Sequence, residues 1–241
     1  MFWIGKRKTN LSEVFKDGFV DIHNHLLPEI DDGAKSVTNT QEMILGMQEL
    51  GITEAIATPH TYPGLWNSTQ STILDAYQKV EQSFITGVSS EYLADASLLQ
   101  LNEDQMLLPL KNKHLLIEFA MLDAPWNGLF DVLFALKHKG YNFILAHPER
   151  YLYWEKKTKM FDKLKDFDMH FQLNALSLLG YYGESTKKLA EFLLSHHFYD
   201  FLGTDFHHLH HIDYAKKEKF DQKYELKVME LAQANSVFSN K

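Results

Sequence analysis

His23 and His25 stand one residue apart in the run DIHNHLLPEIDDG (residues 21–33), and six residues after the second come Asp31, Asp32 and Gly33. Side chains alternate along a strand, so a His-X-His pair turns both imidazoles to one face. There they can grip one divalent cation, at about 2.0–2.1 Å per nitrogen for zinc, and manganese or iron suits the same donors. Such a pair on its own is more often two surface or core histidines. Here, however, similar residues recur down the chain: His60 in ATPH, Glu91 in SSEY, Glu118 in LLIEF, His147 in LAHPERY, Asn174 in QLNAL, and Asp205 with His207 in GTDFHH.

Each of these lies at the end of an apolar run that reads as a strand. FVDIH (19–23), ITEAIATPH (52–60), the stretch 88–92, LLIEF (115–119), YNFILAHP (141–148), HFQLNAL (170–176) and FYDFLGTDF (198–206) are the strands. Helical periodicity lies between them over 37–51, 68–82 with Ser68 as N-cap, 129–138 ending at Gly140, and 185–197. Strands alternating with helices predict parallel βαβ units, and about seven of them suggest a closed barrel rather than an open sheet. In such a barrel all strands present their carboxyl ends at one mouth, so residues spread over the chain would converge there.

Composition narrows the chemistry. The 241-residue chain has no cysteine, which removes disulfides, thiolate zinc sites and cysteine nucleophiles. Its net charge of -8 argues against a nucleic-acid partner. An acidic protein acting on a phosphorylated substrate must concentrate positive charge locally, and metal ions are one way to do so. The start MFWIGKRKTN lacks the pattern of a signal peptide, and no apolar run approaches the roughly 18 residues of a membrane helix. The expectation is a cytoplasmic protein without a stable membrane anchor, one short basic cluster being a weak one. No linker or repeat divides the chain, so 1–241 is expected to form a single domain.

In this order, DIHNH, DDG, ATPH, SSEY, LLIEF, LAHPERY and GTDFHH resemble the polymerase and histidinol phosphatase (PHP) superfamily. Within it they are similar to the bacterial tyrosine-protein phosphatases of the CpsB/CapC/YwqE capsular polysaccharide type, over about residues 18–210. The resemblance implies a distorted seven-stranded (β/α)7 TIM-like barrel holding three divalent ions, with manganese first and iron or zinc as alternatives. It implies that His23 and His25 hold a first ion with Asp205 and a bridging Glu91. Glu91, Glu118 and His147 would hold a second, and Asp32, His60 and His207 a third. Three divalent ions bring six positive charges and the four carboxylates return four, which leaves about two for a hydroxide and a phosphate oxygen. In-line attack of a metal-bound hydroxide on phosphorus is the expected mechanism, with Arg150 holding the phosphate. Asp31, Asn174 and His208 are expected around the ligands: Asp31 to orient its neighbour or cap the turn at Gly33, the other two in supporting contact.

The implied substrate is a phosphotyrosine protein, namely the tyrosine-rich tail of a bacterial tyrosine kinase that controls polysaccharide export. The alternatives are a small-molecule phosphatase of histidinol-phosphatase type, a PHP nuclease, and a non-catalytic barrel that binds a partner. Three features depart from the family pattern. Glu29 stands where the family often has glycine, HHLHHIDYAKK stands where relatives can carry a second phosphate-facing arginine, and the segment leading into Glu91 is short for a full helix-to-strand crossing.

Overall fold

The computed structural model describes residues 7–103, 106–126 and 128–241. Most of the basic start, residues 1–6, therefore lies outside the described residues. Strand β1 (Lys8–Thr9) and one helical turn, α1 (Leu11–Val14), lead into β2 (Phe19–Asp21). Helix α2 (Val37–Glu49) is capped by Ser36, whose hydroxyl accepts from the Asn39 amide at 3.1 Å, and it buries Met43, Ile44 and Met47 against the strands.

The expected strand over 52–60 divides into β3 (Ile52–Ala57) and β4 (His60–Thr61). The break falls at Thr58–Pro59, where Pro59 has no amide to give the ladder. Helix α3 (Gln70–Tyr77) begins later than expected: its N-cap is Thr69, in a reciprocal capping box with Thr72, and not Ser68. The expected strand over 88–92 also divides, into β5 (Ile85–Val88) and β6 (Glu91–Leu93). Glu91 therefore opens a short strand and does not close a long one.

The chain continues through α4 (Ser97–Glu103), β7 (His114–Glu118), α5 (Leu129–His138) and β8 (Asn142–Ala146). Next come α6 (Lys159–Asp166), β9 (His170–Asn174), α7 (Ala175–Leu179) and α8 (Glu184–Ser195). The chain ends with β10 (Phe201–Gly203), α9 (Leu209–Lys217), β11 (Phe220–Asp221) and α10 (Glu225–Ala234).

The core strands form two parallel sheets, ordered β10-β9-β8-β7-β6-β4 and β2-β3-β5, while β1 and β11 pair antiparallel apart from them. Neither sheet closes on itself, which is where the structure departs from the simple expectation of one continuous barrel ladder. The sheets are linked at both junctions. Ser89 N–H donates to Ala57 O at 2.8 Å and Glu91 N–H to Pro59 O at 3.1 Å, so the β3–β5 pair runs on into β4–β6 across the two breaks. On the other side a single parallel bridge, Asn24–Phe206, joins the chain after β2 to the chain after β10. Asp205 N–H donates to His23 O at 2.7 Å and His25 N–H to Phe206 O at 3.0 Å.

Val20, Ile22, Ile56, Leu116, Ile144, Phe201 and neighbouring apolar residues fill one small core, and a larger one lies between the strands and the helices. The carboxyl ends of the parallel strands are left to polar residues.

Candidate metal centre

Three histidines at this end have their ring orientation set by a partner on Nδ1. His23 Nδ1 lies 2.8 Å from Gln172 Oε1, His25 Nδ1 lies 2.7 Å from Asp31 Oδ2, and His207 Nδ1 lies 2.9 Å from the Asp205 carbonyl. Each partner is an acceptor, so each Nδ1 carries the proton and each Nε2 presents a lone pair. Those lone pairs face carboxylates. His23 Nε2 is 3.2 Å from Glu91 Oε2 and 3.3 Å from Asp205 Oδ1, and His25 Nε2 is 3.3 Å from Asp205 Oδ1 and 3.5 Å from Glu91 Oε2.

These are not hydrogen bonds: His23 Nε2, His25 Nε2, His60 Nδ1 and Glu91 Oε2 are buried atoms without a hydrogen-bond partner. Buried lone pairs repel one another at such distances unless positive charge sits among them. Donors around one cation at about 2.1 Å stand roughly 3.0–3.4 Å apart, the edges of an octahedron or tetrahedron. The observed spacings match, so the donor set fits divalent cations.

Three groups of donors could each hold an ion: His23, His25, Glu91 and Asp205; His60, Glu91 and Glu118; and His25, Asp32, His60 and His207. His147 reaches the second group, with Nε2 3.1 Å from Glu91 Oε1 and 4.0 Å from Glu118 Oε2. The nine expected ligand residues thus converge, with two differences from the expected partition: His25 reaches the group of Asp32, His60 and His207 as well as the first, and His60 is shared. His60 stands between two groups, its Nδ1 3.1 Å from Glu91 and 3.2 Å from Glu118, its Nε2 3.7 Å from Asp32.

The backbone is strained where it delivers these side chains. His147 and Asp205 take left-handed φ values of 37° and 54°, and Glu29, in the turn before Asp31, takes 59°. Glycine would adopt that turn conformation at position 29 without the strain that Glu29 carries.

The electrostatics agree with a site built around positive charge. Burial opposes charging His23 and His25, but Glu91 and Asp205 beside the first, and Asp31 beside the second, outweigh it and hold both imidazoles well above their ordinary range. Burial likewise works against Glu91 and Asp205, yet the surrounding histidines hold both carboxyls well below theirs. His207 goes the other way, pushed down to about 4 by burial and by His25. A bound cation takes the place of such protons, since histidine ligates in its neutral form.

Arg150 points into the same space. Burial disfavours its charge, but Asp205 more than compensates. Its Nη1 donates to Asp205 Oδ2 at 2.9 Å and its guanidinium lies 4.4 Å from the Tyr182 ring centre, which leaves the rest of the fork facing the cavity. Asp205 Oδ2 also accepts from Asn174 Nδ2 at 2.9 Å and Tyr182 Oη at 3.4 Å, so Oδ1 remains as the oxygen offered to the cluster.

Asp31 does two things: Oδ1 accepts from Gly33 N–H at 2.8 Å, and Oδ2 takes His25 Nδ1 and the His60 amide at 2.9 Å. His208 is exposed and packs on His211 outside the cluster. His211 is buried, and its Nδ1 accepts from the His207 amide at 3.2 Å.

Sequence reasoning did not single out Gln172, Asp21 or Tyr182. The first two follow a rule that could have found them. Gln172 alternates with Asn174 and Asp21 with His23, each pair on one face of a mostly apolar strand. Asp21 ties the strand ends together through Thr204 Oγ1 at 2.6 Å, Thr204 N at 3.1 Å and Asn24 Nδ2 at 3.1 Å, and burial lifts its carboxyl to about 6. Tyr182 has no such pattern. The cavity over the cluster is about 470 Å³, with Tyr62, Trp66, Met121 and Leu122 on its apolar side. Trp66 stacks on His60 at 4.6 Å between ring centres.

Residues 19–230 match the family described as capsular polysaccharide synthesis, CpsB/CapC. CapC from Staphylococcus aureus is 28% identical over 216 residues, 85% of this chain and 83% of its own. The tyrosine-protein phosphatase YwqE of Bacillus subtilis is 27% identical over 206 residues, 79% of this chain and 78% of its own. A chain from the crystal structures of YwqE and of CpsB from Streptococcus pneumoniae, described as metal-dependent tyrosine phosphatases, superposes with a TM-score of 0.75. It is 24% identical and covers 92% of this chain and 95% of its own, which is a likeness of fold.

Proposed function

The chain belongs to the CpsB/CapC family of capsular polysaccharide synthesis, and from that premise we propose that it is a metal-dependent phosphatase acting on phosphotyrosine in proteins. The observation that carries this reading is the set of buried, unpartnered histidine and carboxylate atoms converging at the spacing of metal donors. We assign His23, His25, Glu91 and Asp205 to one ion, Glu91, Glu118 and His147 to a second, and Asp32, His60 and His207 to a third, with His60 able to serve the second as well. Manganese is our first choice, since an all nitrogen and oxygen donor set suits it, as it does iron or zinc. Bound there, the ions supply Lewis acidity and an activated water for hydrolysis of the phosphate ester.

The protein's own residues do the rest. Gln172, Asp31 and the Asp205 carbonyl hold three imidazoles in the tautomer that offers Nε2. Arg150, steered by Asp205 and backed by Tyr182, keeps free N–H groups for a phosphate oxygen. Trp66, Tyr62 and Met121 give an aromatic ring an apolar wall, and a cavity of about 470 Å³ accommodates a phenyl phosphate.

We read the seven strand segments β2, β3–β4, β5–β6, β7, β8, β9 and β10 as a distorted barrel, and residues 1–241 as one domain. No helix among the described residues is long and apolar enough to cross a membrane. The tyrosine-rich tail of a bacterial tyrosine kinase in the cytoplasm is the substrate we favour, because the family is tied to capsular polysaccharide synthesis.

Phosphate release by the manganese-loaded protein tests the reading, with a tyrosine phosphopeptide and histidinol phosphate in parallel. Peptide turnover should exceed that of histidinol phosphate and fall at least about 100-fold in His23→Ala together with metal binding. Turnover of histidinol phosphate alone would retain the metal chemistry and reject the substrate.

A further inference from the structure

Beside the cavity over the histidine and carboxylate cluster lies a second cleft of about 160 Å³ with a different character. Its side chains, among them Phe119, Trp126, Phe130, Trp154, Met160 and Leu164, include no charged group and no hydrogen-bonding group other than the two indoles. Phe119 walls both spaces, and the loop 120–126 forms the rim between them. That loop carries large apolar side chains into solvent: Leu122 is 90% exposed and Trp126 44%. Trp126 folds back over Gly128, where a Cβ would come within 2.5 Å of its Nε1, so the absence of a side chain at Gly128 makes room for the indole. The floor is closely packed. Trp154 is 5% exposed and meets Phe119 and Phe161 edge-on, with ring centres 5.7 and 5.8 Å away. A preformed apolar cleft continuous with a substrate mouth is the shape that holds a side chain, and burying one aliphatic chain there favours binding without touching the reacting atoms.

We propose that this cleft receives a bulky apolar side chain of the same polypeptide whose phosphotyrosine enters the cavity over the histidine and carboxylate cluster, so that Trp126, Met160 and Leu164 set sequence preference around the phosphotyrosine. The proposal rests on the phosphotyrosine reading above. An extended peptide advances about 3.3 Å per residue, so crossing the loop 120–126 takes a neighbour a few positions from the phosphotyrosine. The loop presents Met121 and Leu122 with a single charge, Asp123, whereas Asp32, Glu118, Arg150 and His207 line the same cavity, so the apolar approach for the occupant is over residues 120–126.

The test compares two phosphotyrosine peptides that differ only in leucine or serine at the second and third positions from the phosphotyrosine, with a small aryl phosphate as control. The manganese-loaded wild type, Trp126→Ala and Met160→Asp are assayed on each. The wild type should show a KM about tenfold lower for the leucine peptide. Both variants should abolish that preference while leaving kcat and aryl phosphate turnover unchanged. Anisotropy with unphosphorylated versions of the two peptides reads the cleft without turnover, and the leucine peptide should again bind more tightly. Equal KM values and equal binding in the wild type, or a preference that survives both substitutions, would overturn the proposal. Failure to hydrolyse even the aryl phosphate would instead count against the phosphatase reading, and the anisotropy comparison would still decide the cleft.

Discussion

A neutral imidazole has one lone pair to give a cation, and the partner of its other nitrogen decides which nitrogen gives it. For His23 that partner is Gln172, whose Oε1 is 2.8 Å from Nδ1 in a wholly buried setting. Gln172→Leu leaves Nδ1–H without an acceptor and frees the ring to choose the wrong tautomer. Manganese affinity, measured by chelator competition, should fall about 10- to 100-fold, and Gln172→Glu should restore much of it. Unchanged affinity in the leucine variant would mean that the tautomer is fixed elsewhere. At this scale the sequence was legible where residue type and position coincided: His23, His25, Glu118, His147 and Asp205 each sit at or just past the carboxyl end of a strand. Gln172 was open to the alternation with Asn174 on one strand face, whereas Tyr182 was harder to see, because a single phenol has many structural uses and no spacing rule marks it.

At the scale of elements, the alternation of strands and helices was plain from periodicity, but the places where strands break were not. Thr58–Pro59 and Ser89–Ser90 each interrupt a run that reads as one strand, and the breaks let β4 and β6 turn His60 and Glu91 into the cluster. Pro59 offered a hint of this, whereas Ser89 and Ser90 only acquire meaning from their partners: Ser90 Oγ lies 2.6 Å from Thr61 Oγ1 and donates to Pro59 O at 2.7 Å.

Another junction between elements can be tested through pH. Asp200, just before β10, accepts from Lys165 Nζ of α6 at 2.6 Å and from the Phe171 amide of β9 at 2.8 Å. Burial raises its pKa, but contacts from His170, Lys165 and that amide prevail and hold it below the ordinary aspartate value. With its folded value below the unfolded one, the carboxylate contributes stability above about pH 4, which is lost as pH falls through the folded value. Asp200→Asn should cost about 1 kcal/mol at pH 7, with the gap to wild type closing as the pH drops below 4 in urea melts. A gap that stays constant with pH would show that the charge is not what matters.

For the whole molecule, the question is what holds β2 and β10 together where no continuous ladder does. Asn235, following α10 near the end of the chain, is fully buried and inserts between them. Its Nδ2 donates to Val20 O at 2.8 Å and Leu202 O at 2.6 Å, and its Oδ1 accepts from Leu202 N–H at 3.2 Å. One amide thus satisfies three backbone groups on two edge strands, at the amino-terminal side of the same two strands that carry His23 and Asp205. Asn235→Ala leaves those groups unpaired at about 1 kcal/mol or more each, so metal-free stability should fall by about 3 kcal/mol and Tm by about 10 °C. Asn235→Asp should be worse, because a carboxylate cannot donate and would face two carbonyl oxygens. Ions that bind only the folded chain add stability according to their affinity. If the amide merely latches the edges and leaves the site intact, the gain in Tm on adding manganese should be the same in Asn235→Ala as in wild type. A smaller gain would show that the latch also sets the distance across which His23 and Asp205 meet.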